Sequence, residues 1–138
     1  PLQRRMEVPP MSPGAVDDPP LTRVIEIALA LPEASCGRSG THGRFLVRKK
    51  TFLYFLDNHH DDGIVAVAGK VPIAENRGRV EIDPSHWYLP TYIGPRGWVG
   101  YRLDVEPIDW EQVDDLILGS YRLVAPKQLG KQLPKRNG

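Results

Sequence analysis

The sequence predicts a single small α+β domain, and three features of the chain support this prediction. An amphipathic helix is indicated near the N-terminus, strand-like runs follow in the middle, and a strand leads through a short turn into a second amphipathic helix near the C-terminus. A chain of 138 residues with 41% hydrophobic content is typical of one globular domain with its own core.

The domain is predicted to span residues 21–127, between a Pro-rich N-terminal arm at 1–20 and a basic C-terminal tail at 128–138. The arm contains six prolines and few large apolar residues. Burial of so little apolar surface does not offset the entropy that is lost when a chain becomes ordered.

The first helix is predicted to begin near Leu21, because apolar residues then recur at the i, i+3, i+4, i+7, i+8 spacing of an amphipathic helix. Pro32 is a stop signal for this helix. The small and glycine-rich residues that follow, 34–43, predict a loop.

Residues 44–48 and 51–56 are two strand-like runs that predict a β-hairpin with Lys49 and Lys50 between them. Neither lysine favours the positive φ of a tight primed turn, so we expect a turn longer than two residues. A further turn at 58–63 and a central strand at 64–68 are expected next.

Residues 69–97 give the weakest structural signal. Residues 79–82 suggest a short strand, and Asp83 followed by Pro84 predicts a helical turn that continues to Leu89. The segment also concentrates ring side chains just before the next strand, and these are His86, Trp87, Tyr88, Tyr92 and Trp98.

The clearest signal is a strand that passes into a helix between Trp98 and Lys127. Apolar and polar residues alternate from Val99 to Val105, as expected for a half-buried strand. Apolar residues then recur at helical spacing, and these are Trp110, Val113, Ile117, Tyr121 and Val124.

The ends of this second helix are also marked in the sequence. Asp109 is predicted to be the N-cap, and Gln112 three residues later completes a capping-box pattern. Pro126 disfavours helical geometry at Ala125, so we expect the helix to end there.

Composition favours a cytoplasmic protein that does not enter a membrane. The single cysteine, Cys36, excludes an internal disulfide and any Cys-rich zinc motif, and this favours a reducing compartment. No apolar run approaches the ~20 residues that a membrane span requires. The net charge of +1 does not by itself indicate an anionic partner, but the charges are unevenly distributed along the chain.

The sequence contains no convincing enzyme motif, so we expect no catalytic residues, no bound metal and no cofactor. The run His59-His60-Asp61-Asp62 contains metal-ligand residue types, but adjacent residues point in divergent directions, and a solvated turn is favoured. Cys36 with His42 as its base would require an ordered glycine-rich loop, and Ser39 does not lie in a nucleophile-elbow motif.

The predicted hairpin carries a concentration of positive charge that can bind phosphates. Arg44 and Arg48 are predicted on one face of their strand, with Lys49 and Lys50 at the tip. A cationic β-ribbon of this kind can lie along a nucleic-acid backbone or enter a groove. The other interpretation is a solvated sheet edge, where lysines commonly prevent strand-to-strand aggregation.

The aromatic residues between 87 and 98 allow a second functional hypothesis. Their rings can stack on bases or line a pocket or protein interface, but a small domain also needs large rings in its core. We therefore keep a protein-interaction or small-ligand-binding module, built on residues 87–98, as the alternative to DNA binding.

Four stretches resemble the MmcQ/YjbR-like proteins, and together they extend over about residues 21–133. They are Ala30-Leu-Pro-Glu33, residues 43–55, Gly97-Trp-Val-Gly-Tyr-Arg-Leu-Asp104, and the helix from Asp109 that ends in Ser120-Tyr-Arg-Leu-Val-Ala125. The resemblance implies an antiparallel sheet packed by an N-terminal and a C-terminal helix, with DNA binding assigned to a basic winged surface. The chain departs from the family at Lys49-Lys50, where a glycine-containing turn is common, and over residues 71–96.

These observations lead to one functional hypothesis, a small cytoplasmic protein that binds DNA largely by electrostatic attraction. The phosphate contacts are predicted at the hairpin residues, and three further basic side chains are predicted to extend the surface. The complete set is Arg44, Arg48, Lys49, Lys50, Arg96, Arg122 and Lys127.

Overall fold

The structure is a computed structural model that describes residues 19–39, 42–58 and 63–133. It contains one antiparallel six-stranded sheet with the strand order β1-β2-β3-β4-β6-β5. The strands are β1 (Ser35–Ser39), β2 (His42–Val47), β3 (Lys50–Asp57), β4 (Val65–Lys70), β5 (Trp87–Tyr88) and β6 (Trp98–Arg102). The helices are α1 (Pro19–Leu29), α2 (Glu75–Ile82), α3 (Trp110–Val124) and the single turn α4 (Lys127–Gly130), with a 3₁₀ turn at Gly94–Arg96.

The main core lies between one face of the sheet and the helices α1 and α3, which confirms the predicted α+β fold. Helix α3 packs on β3 and β4, and α1 packs beside α3. We call this side of the sheet the helix face. Its largest fully buried side chains include Phe45, Phe52, Phe55, Tyr101 and Tyr121.

The opposite side of the sheet, which we call the second face, carries a smaller apolar cluster. Leu56, Ala68 and Trp98 are buried there, and Tyr54 and Ile93 pack against them. The prediction of a central third strand is confirmed, because β4 lies between β3 and β6 and is buried on both faces.

The β2–β3 hairpin lies where the sequence predicts it, but the expectation of a long turn is wrong. Val47 pairs directly with Lys50, so the turn contains two residues, Arg48 and Lys49, with φ of 51° and 70°. Positive φ at both positions matches the right-handed twist of the two strands. The intrinsic cost of about 1–3 kcal/mol for each such non-glycine residue is offset by the hydrogen-bonded strands on either side.

The β3 strand contains a bulge that places an additional aromatic ring in the core. Phe45 pairs with Leu53 and Leu46 pairs with Thr51, so Phe52 is an extra residue without a partner on β2. The bulge turns the Phe52 side chain to the helix face, where its ring meets Tyr121 edge-on at 5.3 Å.

The predicted loop at 34–43 is in part a strand, since Ser35–Ser39 forms β1 and pairs with β2 at the edge of the sheet. The strand consists of Ser, Cys, Gly, Arg and Ser, so its apolar alternation is too weak to be recognised. Only the half-buried Cys36 among them packs on the core.

The strand predicted at 79–82 is wrong, because these residues belong to α2. The helical turn predicted after Asp83 is present but shorter than expected: the Asp83 carbonyl accepts from the Trp87 N–H at 3.0 Å, and the Asp83 carboxylate accepts from the Ser85 N–H at 3.2 Å. Asp83 also ends α2, since its N–H donates to the carbonyl of Arg79, and Trp87–Tyr88 forms β5 instead of continuing the turn to Leu89. Helix α2 buries only the polar Asn76, so it has no apolar periodicity to reveal it.

The predicted strand and helix after Trp98 are confirmed, with two differences. The strand is not half-buried, because the residues from Trp98 to Tyr101 are all buried. The second difference lies at the helix cap. The Asp109 carboxylate accepts a hydrogen bond from the Glu111 N–H at 3.1 Å. The Asp109 N–H, however, donates to the Tyr101 hydroxyl at 3.0 Å, so a core tyrosine takes the place that a capping box gives to Gln112.

The folded part extends beyond the predicted boundary at Lys127. Helix α4 follows α3 directly, and Leu129 and Leu133 are both buried in the core. Two apolar side chains in a basic segment are sufficient to anchor it, because a leucine that is fully buried contributes about 1.5–3 kcal/mol.

Candidate nucleic-acid interface

The hairpin tip lies at one end of the sheet, together with the last residue of β4 and the first residue of β6. Leu53 pairs with Gly69 across β3 and β4, and Lys70 pairs with Trp98 across β4 and β6. The start of β3 at Lys50, the end of β4 at Lys70 and the 3₁₀ turn that precedes Trp98 therefore share this end of the sheet.

The C-terminal part of α3 lies at the same end. The Ser120 hydroxyl donates to the Phe52 carbonyl at 2.6 Å and accepts from the Lys70 N–H at 2.8 Å. Arg122 follows this fixed point by two residues within α3, and Lys127 begins α4 just after that helix ends. We call the resulting surface the basic end, and define it by Lys49, Lys50, Lys70, Arg96, Arg122 and Lys127.

Most side chains of the basic end are available to a ligand. Lys49, Lys50, Arg96 and Lys127 are exposed, and none of these four has a carboxylate partner within the ranges that the structure describes. Arg122 is exposed and has its own contacts, and Lys70 is half-buried. Lys70 points to the second face, since the neighbouring Gly69 faces α3.

The Arg48 guanidinium is bound to a carboxylate of the protein itself. Its Nε donates to Glu33 Oε1 at 2.5 Å and its second nitrogen donates to Glu33 Oε2 at 3.0 Å. The hydrogen bonds from Arg48 lower the pKa of Glu33, and Glu33 raises the pKa of Arg48. A phosphate would have to compete with this bidentate pair, so we place Arg48 apart from the basic end.

Arg44 is also separate from the basic end. It is exposed in the middle of β2, where it pairs with Gly37 on one side and with Tyr54 on the other. The prediction that places it on one strand face with Arg48 does not describe the structure, because Arg48 belongs to the turn. Arg44 lies on the second face, beside Tyr54.

Acidic residues gather at the opposite end of the sheet. Strand β3 ends there at Asp57, which pairs with Val65, and the Val65 carbonyl accepts from the N–H of Leu103 just before Asp104. The acidic N-terminal half of α3 begins at Asp109, which is hydrogen-bonded to Tyr101. Asp104 is paired there with Arg102, which donates to both of its carboxylate oxygens, so the remaining acidic charge comes from Asp57 and the first half of α3. The two ends of the domain therefore differ in charge, although the net charge is only +1.

The aromatic rings between 87 and 98 mainly serve packing. Trp87 is buried and lies edge-on to Tyr101 at 4.8 Å, and the Arg79 guanidinium lies over the Trp87 ring. Trp98 is buried against Tyr54 at 5.2 Å. The Tyr88 ring covers Gly100, where a Cβ atom would come within 2.4 Å of it. Tyr92 differs, since 78% of its surface is exposed.

The residues of catalytic or metal-binding types do not form a site in the described structure. Burial raises the pKa of the Cys36 thiol, and a ring nitrogen of His42 is hydrogen-bonded to the Asp57 carbonyl at 2.8 Å. Among the described residues there is no group of three or more potential metal ligands. The run 59–62 lies outside these residues. The described helices are all too short or too polar to cross a bilayer.

Lys70 belongs to the basic end but is missing from the sequence-based site. A second basic residue that the sequence analysis does not single out, Arg77, lies outside the basic end. Lys70 is a charged residue that ends an apolar strand, which is a signal for a strand end exposed to solvent. Arg77 lies in α2, whose helical character is not visible in the sequence.

Comparisons with known proteins add a fold likeness. No protein-family model matches the chain, and no curated protein matches it significantly. Among solved structures, it is similar to the crystal structure of Deinococcus radiodurans protein DR2400, a DUF419 domain. The TM-score is 0.64 over 83% of this chain and 88% of that chain, at 18% sequence identity. At this level of identity, the comparison shows that the two proteins share a fold.

Proposed function

We propose that this protein binds DNA through phosphate contacts made by the basic end. The observation that carries the proposal is that the sheet register and the docking of α3 gather exposed cations from four separate segments at one end. The acidic residue beside the hairpin tip, Glu33, is already bound to Arg48. Phosphate contacts of this kind supply most of the non-specific affinity of proteins for DNA.

We also propose that the chain is an MmcQ/YjbR-like protein. The resemblance at Gly97–Asp104 and at Ser120–Ala125 supports this assignment, and so does the fold shared with a DUF419 protein. The resemblance assigns DNA binding to a basic winged surface, and we propose that the β2–β3 hairpin is this surface.

The separation of charge along the sheet also favours one orientation of approach. The basic end is attracted to the phosphate backbone while the acidic end is repelled, so the hairpin tip is presented to the DNA first. Binding of this type depends strongly on salt, because each phosphate that is neutralised releases condensed counterions.

The test is a fluorescence anisotropy titration with duplex and single-stranded DNA at several salt concentrations. Lys49→Gln and Lys50→Gln are each expected to weaken binding and to reduce the slope of log affinity against log salt by about 0.9, the value for one phosphate contact. The matched control is Arg38→Gln, which removes one exposed charge from the edge strand β1. Equal losses in all three variants, or no loss in either lysine variant, would contradict the proposed interface.

A gain of affinity is expected for Glu33→Gln. Since Arg48 lowers the pKa of Glu33, the carboxylate is ionised at neutral pH and holds the guanidinium. Its replacement removes a negative charge next to the tip and releases Arg48 for a phosphate. We expect tighter binding at low salt and a salt slope that is steeper by about 0.9.

The Glu33→Gln experiment separates the role of Arg48 from that of the lysines. In an Arg48→Gln background, Glu33→Gln is expected to retain only the smaller effect of the lost negative charge. An identical gain with and without Arg48 would show that this arginine makes no phosphate contact. The cost in stability is small, since exposed ion pairs are typically worth about 0–1 kcal/mol.

A further inference from the structure

A cleft of about 470 Å³ opens between α2 and the 3₁₀ turn. Its size falls within the range of about 300–1,000 Å³ that is usual for small-molecule sites. Two segments form its walls, one before and within the start of α2 and the other between β5 and β6. The lining residues are Ile73, Ala74, Asn76, Arg77, Leu89, Pro90 and residues 94–97.

The walls of the cleft are held together by a buried asparagine. The Asn76 side-chain amide donates to the Gly94 carbonyl at 2.9 Å and to the Trp98 carbonyl at 3.2 Å. Its side-chain oxygen accepts from the Arg77 N–H at 2.9 Å. Asn76 is only 6% exposed, so the amide fixes α2 against the 3₁₀ turn and the cleft is formed before any ligand binds.

The cleft combines two positive charges with an apolar surface. Arg77 and Arg96 line it, both are exposed, and neither has an ion-pair partner in the described parts of the chain. None of the described residues that line the cleft carries a carboxylate. The nearby Glu75 carboxylate lies 4.0 Å from Arg79 instead. Apolar atoms come from Ile73, which is 94% exposed, and from Leu89 and the prolines.

We propose that this cleft binds a small organic anion. Arg77 and Arg96 would hold its phosphate or carboxylate group, because guanidinium groups bind either anion through paired hydrogen bonds. Ile73, Leu89 and Pro90 would pack against its apolar body. Such a site goes beyond the proposed DNA binding, with which it shares only Arg96.

The test is a titration of the full chain with three naphthalene compounds, followed by NMR of backbone amides. The compounds are 1-naphthyl phosphate, 1-naphthaleneacetate and the neutral 1-naphthalenemethanol. We expect saturable shifts at the amides of Asn76, Arg77, Gly94 and Gly97 with one or both anions, and about tenfold weaker binding of the neutral compound. The stronger anion identifies which of the two acidic groups the site prefers.

Single substitutions locate the charge recognition. Arg77→Gln and Arg96→Gln are each expected to weaken binding of the preferred anion about fivefold to tenfold, whereas Arg38→Gln leaves it unchanged. Arg77→Lys retains the charge without the planar fork and is expected to fall between Arg77→Gln and the unmodified protein. Amide spectra of each variant confirm that the fold is retained.

The proposed anion site and the proposed DNA interface can be tested independently of each other. Arg77→Gln is expected to weaken binding of the anion and to leave DNA binding intact. Lys50→Gln is expected to weaken DNA binding and to leave binding of the anion intact. Equal affinity for the three compounds, shifts confined to other parts of the domain, or an unchanged affinity in Arg77→Gln would overturn the proposal.

Discussion

Replacement of Tyr121 by alanine is expected to lower the free energy of unfolding by about 3–5 kcal/mol, the usual range for a buried aromatic side chain. The Tyr121 side chain is fully buried and its ring packs edge-on against Phe52. Its hydroxyl donates to the Pro32 carbonyl at 2.6 Å, so the same residue links α3 to the segment after α1. The change would leave a cavity between two helices and the bulge of β3.

Tyr121→Phe is the matched control, because it keeps the ring and removes only the hydroxyl. We expect it to cost about 1–2 kcal/mol, since the Pro32 carbonyl loses its donor. Urea denaturation of the two variants measures the difference. If Tyr121→Ala were no less stable than Tyr121→Phe, the ring would not contribute to the core as the structure indicates.

Tyr121 also lies close to the candidate interface, beside the Glu33–Arg48 pair. Burial raises the pKa of its hydroxyl, and the Glu33 carboxylate acts in the same direction. The hydroxyl therefore lies within electrostatic reach of the Glu33–Arg48 pair. Loss of the ring is expected to loosen the hairpin tip, so DNA binding by Tyr121→Ala should be measured only well below its unfolding temperature.

The parts of the fold that are predictable from sequence are those in which apolar residues are periodic. Helices α1 and α3 have an apolar stripe, so their buried faces can be read directly. Strand β6 is revealed by the alternation around Tyr101, but the alternation does not give its burial, because the strand is buried on both faces from Trp98 to Tyr101. Strand β1 and helix α2 have neither pattern. Strand β1 is held by backbone pairing with the adjacent strand β2, which does not depend on its side chains. Helix α2 is held by contacts with distant residues, as Asn76 is with Gly94 and Trp98.

The candidate site is predictable only as a set of charges. Lys49, Lys50, Arg96, Arg122 and Lys127 are visible as basic residues, but their common location depends on the strand register and on the docking of α3. The partner of Arg48 is not visible either, because Glu33 is fifteen positions away and is turned towards the hairpin by the segment after α1.

The hairpin turn shows how tertiary structure overrides local preference. Two basic residues with positive φ are unfavourable in isolation, yet the turn must close two strands that are paired up to Val47 and Lys50. The ion pair between Arg48 and Glu33 gives one of these residues a further contact in this geometry. The result is a tip at which Lys49 projects into solvent.

The second large effect is expected for Ser120→Ala, which should lower the free energy of unfolding by about 2–4 kcal/mol. The Ser120 hydroxyl serves two backbone groups at once, the carbonyl of the bulge residue Phe52 and the N–H of Lys70. Alanine would leave both groups without this partner, the carbonyl in a buried place and the N–H in a partly buried one. Each unsatisfied buried group costs about 1–3 kcal/mol. The neighbouring Gly69 leaves little space for water, since even a Cβ atom there would lie 3.3 Å from the Ser120 Cβ.

Gly119→Ala is the control for Ser120→Ala, because it changes the adjacent residue of the same helix at a position where a Cβ atom meets nothing within 4 Å. It is expected to stabilise the protein by about 0.4–1 kcal/mol through helix propensity and a less flexible unfolded chain. Hydrogen exchange supplies a local measurement, since the Lys70 amide should lose protection in Ser120→Ala and keep it in Gly119→Ala. A Lys70 amide that stays protected in both variants would mean that β3 and β4 close their ladder without the serine. In that case, α3 would not fix the position of Lys70 at the end of β4. Only the hairpin would then hold the residues of the basic end in place.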